Sequence, residues 1–178
     1  SNVTGSFSYM FTRCNNLTAV DVDGWVTKDT KSISFMFLNC NKLETIDVSK
    51  WDTSKVKNMA SMFAFNGNLS DVDVSNWDTS NVTNMYSMFR WCRKITSLNL
   101  SRFNTSNVTN MSYMFDDCEG LTSLDLSSFN TSNVTNMQYM FKDTSNLGQI
   151  IAGNGWITDN AEITGMFEGC KISEVIKQ

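Results

Sequence analysis

A 26-residue repeat fills this 178-residue chain and limits the folds that it can adopt. The dipeptide Met-Phe recurs seven times at a constant step of 26 residues, and its methionines are Met10, Met36, Met62, Met88, Met114, Met140 and Met166. A unit this short cannot bury its own apolar face, so neighbouring units must cover one another. The repeat predicts a single repeat domain over residues 1–178.

Each unit combines two apolar patterns. Residues 121–126 read LTSLDL, and their two-residue alternation predicts a short strand with Asp125 pointing outward. The polar stretch SSFNTSN predicts a turn. In residues 134–141 apolar side chains recur at i, i+3, i+6 and i+7, which predicts a helix of about two turns. We therefore expect an α/β solenoid, a right-handed coil of seven units with one short parallel strand and one short helix per unit.

The first and last units depart from this pattern. The first has one more residue between Val3 and Met10 than later units have. The last places Trp156 one position late and carries Ala152 where other units have a larger apolar residue, although its tail KISEVIKQ still predicts a strand. Terminal units of repeat proteins are commonly atypical because they close the core.

The repeated motif C-x-x-L-T-S-L-D-L-S-x-F-N-T-S-N-V-T-N-M-x-x-M-F resembles the BspA-like leucine-rich repeats of bacterial surface proteins and mycoplasma lipoproteins. The similarity covers nearly the whole chain. It implies a leucine-rich-repeat-like coil and a secreted protein at the bacterial cell surface, in a family that includes suspected adhesins. The resemblance brings no catalytic residues.

Composition excludes several classes of function. The net charge of −4 and pI near 4.7 argue against a nucleic-acid partner. The chain contains no His, the commonest general base and zinc ligand, and has no apolar stretch of the roughly 20 residues needed for membrane insertion. It also has no visible signal peptide and no motif typical of catalysis. We expect no enzyme activity, no metal and no cofactor.

All five cysteines occupy one column of the repeat: Cys14, Cys40, Cys92, Cys118 and Cys170. A buried free cysteine behaves as a small apolar residue, and Asn66 and Thr144 occupy the same column. We interpret the column as reduced and packed. Disulfides joining Cys14 to Cys40 or Cys92 to Cys118 remain an alternative, which would leave Cys170 unpaired.

The heptapeptide TSNVTNM occurs at 79–85, 105–111 and 131–137 and has two interpretations. Regular columns of Thr and Asn are compatible with an ice-binding or glycan-binding array. Ser, Thr and Asn also cap helices and satisfy free backbone groups at turns. We favour the structural interpretation.

One cluster breaks the repetition with cationic and aromatic side chains: Arg90, Trp91, Arg93 and Lys94. Interface hot spots favour Trp and Arg, so these residues are candidate ligand contacts. The alternative is a partly covered surface patch.

The outward strand positions of the first half of the chain are acidic, and Asp47, Asp71 and Asp73 are their clearest members. Neighbouring carboxylates attract Ca²⁺ or a basic partner. We favour a solvated face over a metal site and retain the three residues as candidate ligand contacts.

These features predict a non-catalytic cell-surface interaction module, an adhesin type of domain that binds a protein or glycan on a host or neighbouring cell. The alternative is a passive structural spacer that displays another domain. The uniform Ser and Asn columns favour the spacer, whereas the residues specific to single units favour binding.

Overall fold

The computed structural model describes residues 5–178, so the predicted spacing change at Val3 lies outside the described part. Within that part the regular secondary structure consists of short strands: β1 (Thr45–Ile46), β2 (Asp71–Val72), β3 (Ser123–Leu126), β4 (Gln149–Ala152) and β5 (Ile176–Lys177). β1 pairs with β2, and β3, β4 and β5 form a second sheet in that order. All the pairs are parallel.

The register of the strands follows the 26-residue repeat. Leu124 of β3 pairs with Ile150 of β4, which is its equivalent in the next unit. Leu124 and Leu126 are buried, whereas Asp125 between them is exposed. The predicted strand and its alternation are therefore confirmed, although the tail forms a strand only at β5.

A second line of parallel pairing links the units on another side of the repeat. Single bridges join equivalent residues of neighbouring units in the order Ser6, Ser32, Asn58, Asn84, Asn110, Asn136 and Glu162. The chain is thus a repetitive, mostly irregular fold in which consecutive units pack side by side through short parallel pairings.

The predicted helix is wrong, because residues 5–178 contain no helix. Residues 134–141 form turns instead. Two positions in each unit adopt a left-handed backbone with φ between +53° and +65° at the residues other than Gly. The first position comprises Tyr9, Phe35, Ser61, Ser87, Tyr113, Tyr139 and Gly165, and the second comprises Arg13, Asn39, Phe65, Trp91, Asp117, Asp143 and Gly169.

These turns send their backbone N–H groups sideways to the next unit. Met111, Tyr113 and Phe115 donate to the carbonyl oxygens of residues 136, 138 and 140, at N···O distances of 2.9, 3.0 and 2.8 Å. In a helix the same groups would bond within their own segment. The left-handed residues turn alternate peptide groups toward the neighbour, so hydrogen bonds between units replace those of a helix.

The predicted apolar columns form a continuous core. Rings of equivalent residues stack along it, with centroids 5.7 Å apart for Phe63 and Phe89 and 5.9 Å apart for Phe89 and Phe115. Trp156 is buried against Phe141 in spite of its shifted position. The positions assigned to the helix are therefore buried as predicted, although the backbone that carries them is different.

The cysteine column has a polar role that the sequence did not indicate. Each cysteine is a free thiol, which agrees with the reduced, packed interpretation. The thiol of Cys118 donates to the Phe89 carbonyl at 3.1 Å, and Thr144 makes the equivalent bond to the Phe115 carbonyl at 2.6 Å. Asn66 does the same with its amide. The column thus requires a small hydrogen-bond donor rather than only a small apolar residue.

Candidate functional site

The two threonines and the first asparagine of TSNVTNM make contacts between units, whereas Ser106 and Asn110 form hydrogen bonds within their own unit. The Thr105 hydroxyl donates to the Asn130 carbonyl at 2.8 Å and accepts from the Asn130 N–H at 2.9 Å. The Asn107 amide donates to the Ser80 carbonyl of the preceding unit at 2.7 Å. The structural interpretation is confirmed, but these residues link neighbouring units and cap no helix.

The acidic candidates Asp47, Asp71 and Asp73 lie together around one shallow groove. Asp47 accepts hydrogen bonds from the Ser49 side chain and N–H, and these bonds lower the pKa of its carboxyl group. Hydrogen bonds from Ser75 lower the pKa of Asp73 in the same way. The carboxylates of Asp47 and Asp73 therefore already stabilise the turns in which they lie.

The structure also brings together the cationic and aromatic candidates, but it neutralises both arginines. Arg90 Nε donates to Asp116 Oδ2 at 2.7 Å, and its guanidinium lies over the Tyr113 ring at 4.6 Å. Burial raises the pKa of Asp116, although the charge of Arg90 opposes that shift. Arg90 is therefore a packed ion pair rather than a free cation.

Arg93 has a similar arrangement nearer to the surface. Its Nη2 donates to Asp117 Oδ2 at 2.7 Å, and its Nε lies 3.5 Å from Glu119 Oε1. The guanidinium stacks over the Trp91 ring at 4.0 Å. The ion pairs fix the guanidinium, which in turn supports one face of the indole. Lys94 is exposed beside them.

The exposed ring of Trp91 lines a groove, which we call the Trp91 groove, with a volume of about 360 Å³. Its lining comprises Asn39, Asn41, Phe65, Gly67, Asn68, Trp91 and Arg93. The Phe65 and Trp91 rings are tilted by 36° with centroids 5.8 Å apart. Both belong to the second left-handed position, which carries a different residue in most units.

Sequence reasoning missed several members of this site. Asp116 follows Arg90 by 26 residues, one step of the repeat, and Asp117 follows Arg93 by 24, so each arginine pairs with a carboxylate of the next unit. That periodicity was an available signal. The amides of Asn39, Asn41 and Asn68 carried none, because Asn is common throughout the repeat.

Residues 5–178 contain no helix of sufficient length and apolar character to cross a membrane. Among the same residues, no group of three or more His, Cys, Asp or Glu side chains is arranged to hold a metal ion.

A protein-family model described as "Mycoplasma protein of unknown function, DUF285" matches the chain twice, over residues 5–98 and 69–177. The chain belongs to the DUF285 family. The overlapping matches together span residues 5–177 and reflect the repeated unit. No curated protein and no solved structure matches the chain significantly. The DUF285 description assigns no activity.

Proposed function

We propose that this DUF285 chain is a non-catalytic interaction module at the bacterial cell surface, of the adhesin type, and that the Trp91 groove binds its ligand. The observation that carries this proposal is the exposed Trp91 ring beside the half-buried Phe65 ring, in a groove with side-chain amides. Ligand sites commonly combine apolar surface with a few polar groups that set orientation. The location rests on the resemblance of the repeat to the BspA-like family.

The proposed architecture is a right-handed solenoid similar to leucine-rich repeats. Equivalent residues pair in parallel at nearly every step between units, and ring stacking repeats along the core. Such arrays offer side chains from several units on one continuous surface. In this arrangement Asn39, Phe65 and Trp91 stand next to one another as equivalent residues of three consecutive units.

A glycan is the ligand that this groove fits best. Arg93 lies over one face of Trp91 and Arg90 lies over the Phe65 ring at 5.4 Å, so the opposite face of the exposed Trp91 ring is the main apolar surface for the C–H face of a sugar. Neighbouring amides offer hydrogen bonds to its hydroxyl groups. The Asn68 amide nitrogen already donates to the Asn41 carbonyl at 2.7 Å, which orients its oxygen as an acceptor. Arg93 is held by carboxylates, so the groove does not select for an anionic ligand.

Glycan-array binding of the purified chain tests the proposal. Trp91→Ala and Phe65→Ala should each weaken binding at least about fivefold, since stacking on an aromatic hot spot contributes about 1 kcal/mol or more. Tyr86→Ala is the matched control, because Tyr86 is a partly exposed aromatic residue outside the groove. Binding that survives both substitutions would refute the groove as the site.

The spacer remains the second candidate. The heptapeptide favours it, because side chains such as Thr105, Asn107 and Asn133 already make hydrogen bonds between units and leave a uniform surface. The two functions predict different results for the intact chain. Failure to bind any glycan or host matrix protein would contradict the interaction module and support the spacer.

A further inference from the structure

A second groove lies beside the Trp91 groove and shares two of its lining residues. This Leu38 groove has a volume of about 250 Å³ and is lined by Arg13, Leu38, Asn39 and Phe65. Asn39 and Phe65 also line the Trp91 groove. The two grooves adjoin at these residues, and we call them together the long cleft.

The long cleft crosses several units of the repeat. Leu38 and Asn39 belong to the second unit, Phe65 belongs to the third and Trp91 belongs to the fourth. Asn39, Phe65 and Trp91 occupy the same column of left-handed residues. Neighbouring units pair in parallel, at the spacing of about 4.8 Å that is usual between strands. The cleft therefore runs in the direction in which the units stack, over roughly 10 Å from Asn39 to Trp91.

A glycine makes room in the middle of the long cleft. Gly67 stands in a column in which every other unit has a larger side chain, namely Asn15, Asn41, Arg93, Glu119, Ser145 and Lys171. The only atom near a Cβ added at Gly67 would be the Trp91 carbonyl oxygen, at 4.0 Å. A side chain at this position would extend into open space, so its absence leaves that space to a ligand.

Amide groups without a protein partner also line the long cleft. The side chains of Asn39 and Asn41 make no hydrogen bond to any residue between 5 and 178, and both line the groove. Asn68 adds an amide whose nitrogen is already bonded to the Asn41 carbonyl. A side-chain amide both donates and accepts hydrogen bonds, as a sugar hydroxyl does. The cleft thus offers hydrogen bonds in its second and third units as well as an aromatic ring in its fourth.

Charge along the long cleft favours a neutral ligand. Arg93 Nη2 is bonded to Asp117, and Arg90 Nε is bonded to Asp116, at 2.7 Å in each pair. Arg13 lines only the far end, in the first unit. From the second to the fourth unit the lining residues therefore carry no unpaired charge, which complements an uncharged chain.

We propose that the long cleft binds a linear, β-linked oligosaccharide whose sugars lie one per unit in the direction of stacking. This inference rests on the proposed glycan-binding function and adds the length and linkage of the ligand. Trp91 contacts the sugar at one end, and Leu38 and Asn39 contact the third sugar. Phe65 and the open space at Gly67 receive the sugar between them.

The shape of the long cleft selects this linkage. The sugars of an extended β-linked chain form a nearly straight ribbon with C–H groups on both faces, and each sugar is about as long as one step between units. An α-linked glucose chain curves, so its successive sugars leave a straight row of side chains. A binding site that follows the repeat is thus matched to a ligand that is itself a straight repeat.

Isothermal titration calorimetry of the 178-residue chain with sugars of increasing length tests the proposal. The β-linked probes are the cello-oligosaccharides and the chito-oligosaccharides from the disaccharide to the hexasaccharide. In at least one series the affinity should rise at least about fivefold from the disaccharide to the trisaccharide, as expected for one added net hydrogen bond. It should not rise further beyond the tetrasaccharide, because the lining residues span four units. Maltotriose, the α-linked control, should bind no more tightly than maltose.

Replacement of Asn39 by Gly tests the contact with the third sugar. Asn39→Gly removes the amide and retains the left-handed backbone, with its φ of 60°. It should remove most of the gain in affinity from the disaccharide to the trisaccharide. Asp143→Gly is the matched control, because Asp143 occupies the same column with a φ of 53° and lies outside the cleft. This control should keep the full gain, and circular dichroism spectra that match the wild type establish that both variants are folded.

The results separate failure of this proposal from failure of the proposed function. Binding that depends on Trp91 but does not increase with length would overturn the oligosaccharide and leave the groove as a glycan site. Equal affinity for maltotriose, or a full gain in the Asn39→Gly chain, would do the same. If no β-linked probe binds, this proposal is wrong, whereas the proposed function still stands if the glycan array shows binding that Trp91→Ala weakens.

Discussion

Replacement of Thr105 by Val tests whether the repeated turn holds neighbouring units together. The Thr105 side chain is fully buried, and its hydroxyl makes two hydrogen bonds to the Asn130 backbone, at 2.8 and 2.9 Å. Valine has nearly the same shape, so the substitution removes both bonds and preserves the packing. Each bond contributes about 1 kcal/mol net, and loss of a partner for a buried polar group adds to this cost. We expect the free energy of unfolding to fall by about 2–3 kcal/mol.

Thr109→Val is the matched control because Thr109 lies in the same TSNVTNM heptapeptide. Thr109 is exposed, and its hydroxyl makes one longer bond of 3.2 Å to the Thr83 carbonyl. Its replacement should change stability by no more than about 0.5 kcal/mol. Urea denaturation followed by circular dichroism gives both free energies. In a thermal scan Thr105→Val should lower Tm by about 4–12 °C, as expected for a chain of this size.

Equal stability of the two variants would refute this reasoning. The Thr105 hydroxyl would then make no net contribution to the contact between units. The regular Thr column would have to be explained by another role, and the ligand-binding array considered from the sequence would be the first alternative. A loss of stability in the Thr105→Val variant alone would support a structural role for the Thr column.

Two further predictions concern the buried thiols and the close approach of neighbouring units at Gly120. Burial raises the pKa of the Cys92 thiol to about 12 and that of Cys118 well above its usual range, so the unfolded chain loses these protons first as pH rises. The free energy of unfolding should therefore fall above about pH 8.5, by up to about 1.4 kcal/mol per pH unit for each thiol. Urea titrations at several pH values measure this fall, which should be shallower when both cysteines are replaced by Thr. Gly120→Ala should destabilise by about 1–3 kcal/mol in the same assay, because a Cβ there would lie 2.5 Å from a backbone carbonyl oxygen. Gly67→Ala should be neutral or slightly stabilising, because the only atom near the added Cβ would be the Trp91 carbonyl oxygen at 4.0 Å. An equal loss of stability in the two variants would contradict this account.

The candidate site was predicted only in part. The sequence singled out Trp91 and Arg93 because they interrupt a monotonous repeat, and the structure places both beside the same groove. The sequence did not indicate that Arg90 pairs with Asp116, because this partner belongs to the next unit. A charged side chain in a repeat protein has neighbours one repeat away as well as neighbours in sequence. Local composition therefore misjudges the net charge of the surface around it.

The sequence by itself determined the repeat, the buried columns and the parallel register of the units, because each follows from a constant step of 26 residues. It did not determine the path of the backbone between the strands. A helix and the observed turns bury the same apolar positions, so hydrophobic periodicity cannot distinguish them. They differ in the direction of their N–H groups, along the segment in a helix and toward the neighbouring unit here.

Only the tertiary structure decides between these two directions. Residues such as Phe65, Trp91 and Tyr113 adopt a left-handed backbone, which costs an isolated residue about 1–2 kcal/mol. No local propensity predicts that choice for aromatic residues. The conformation is stabilised because each left-handed residue lets the backbone donate to the next unit, and the bond exists only when that unit is in place. The backbone of one repeat is therefore set by its neighbours.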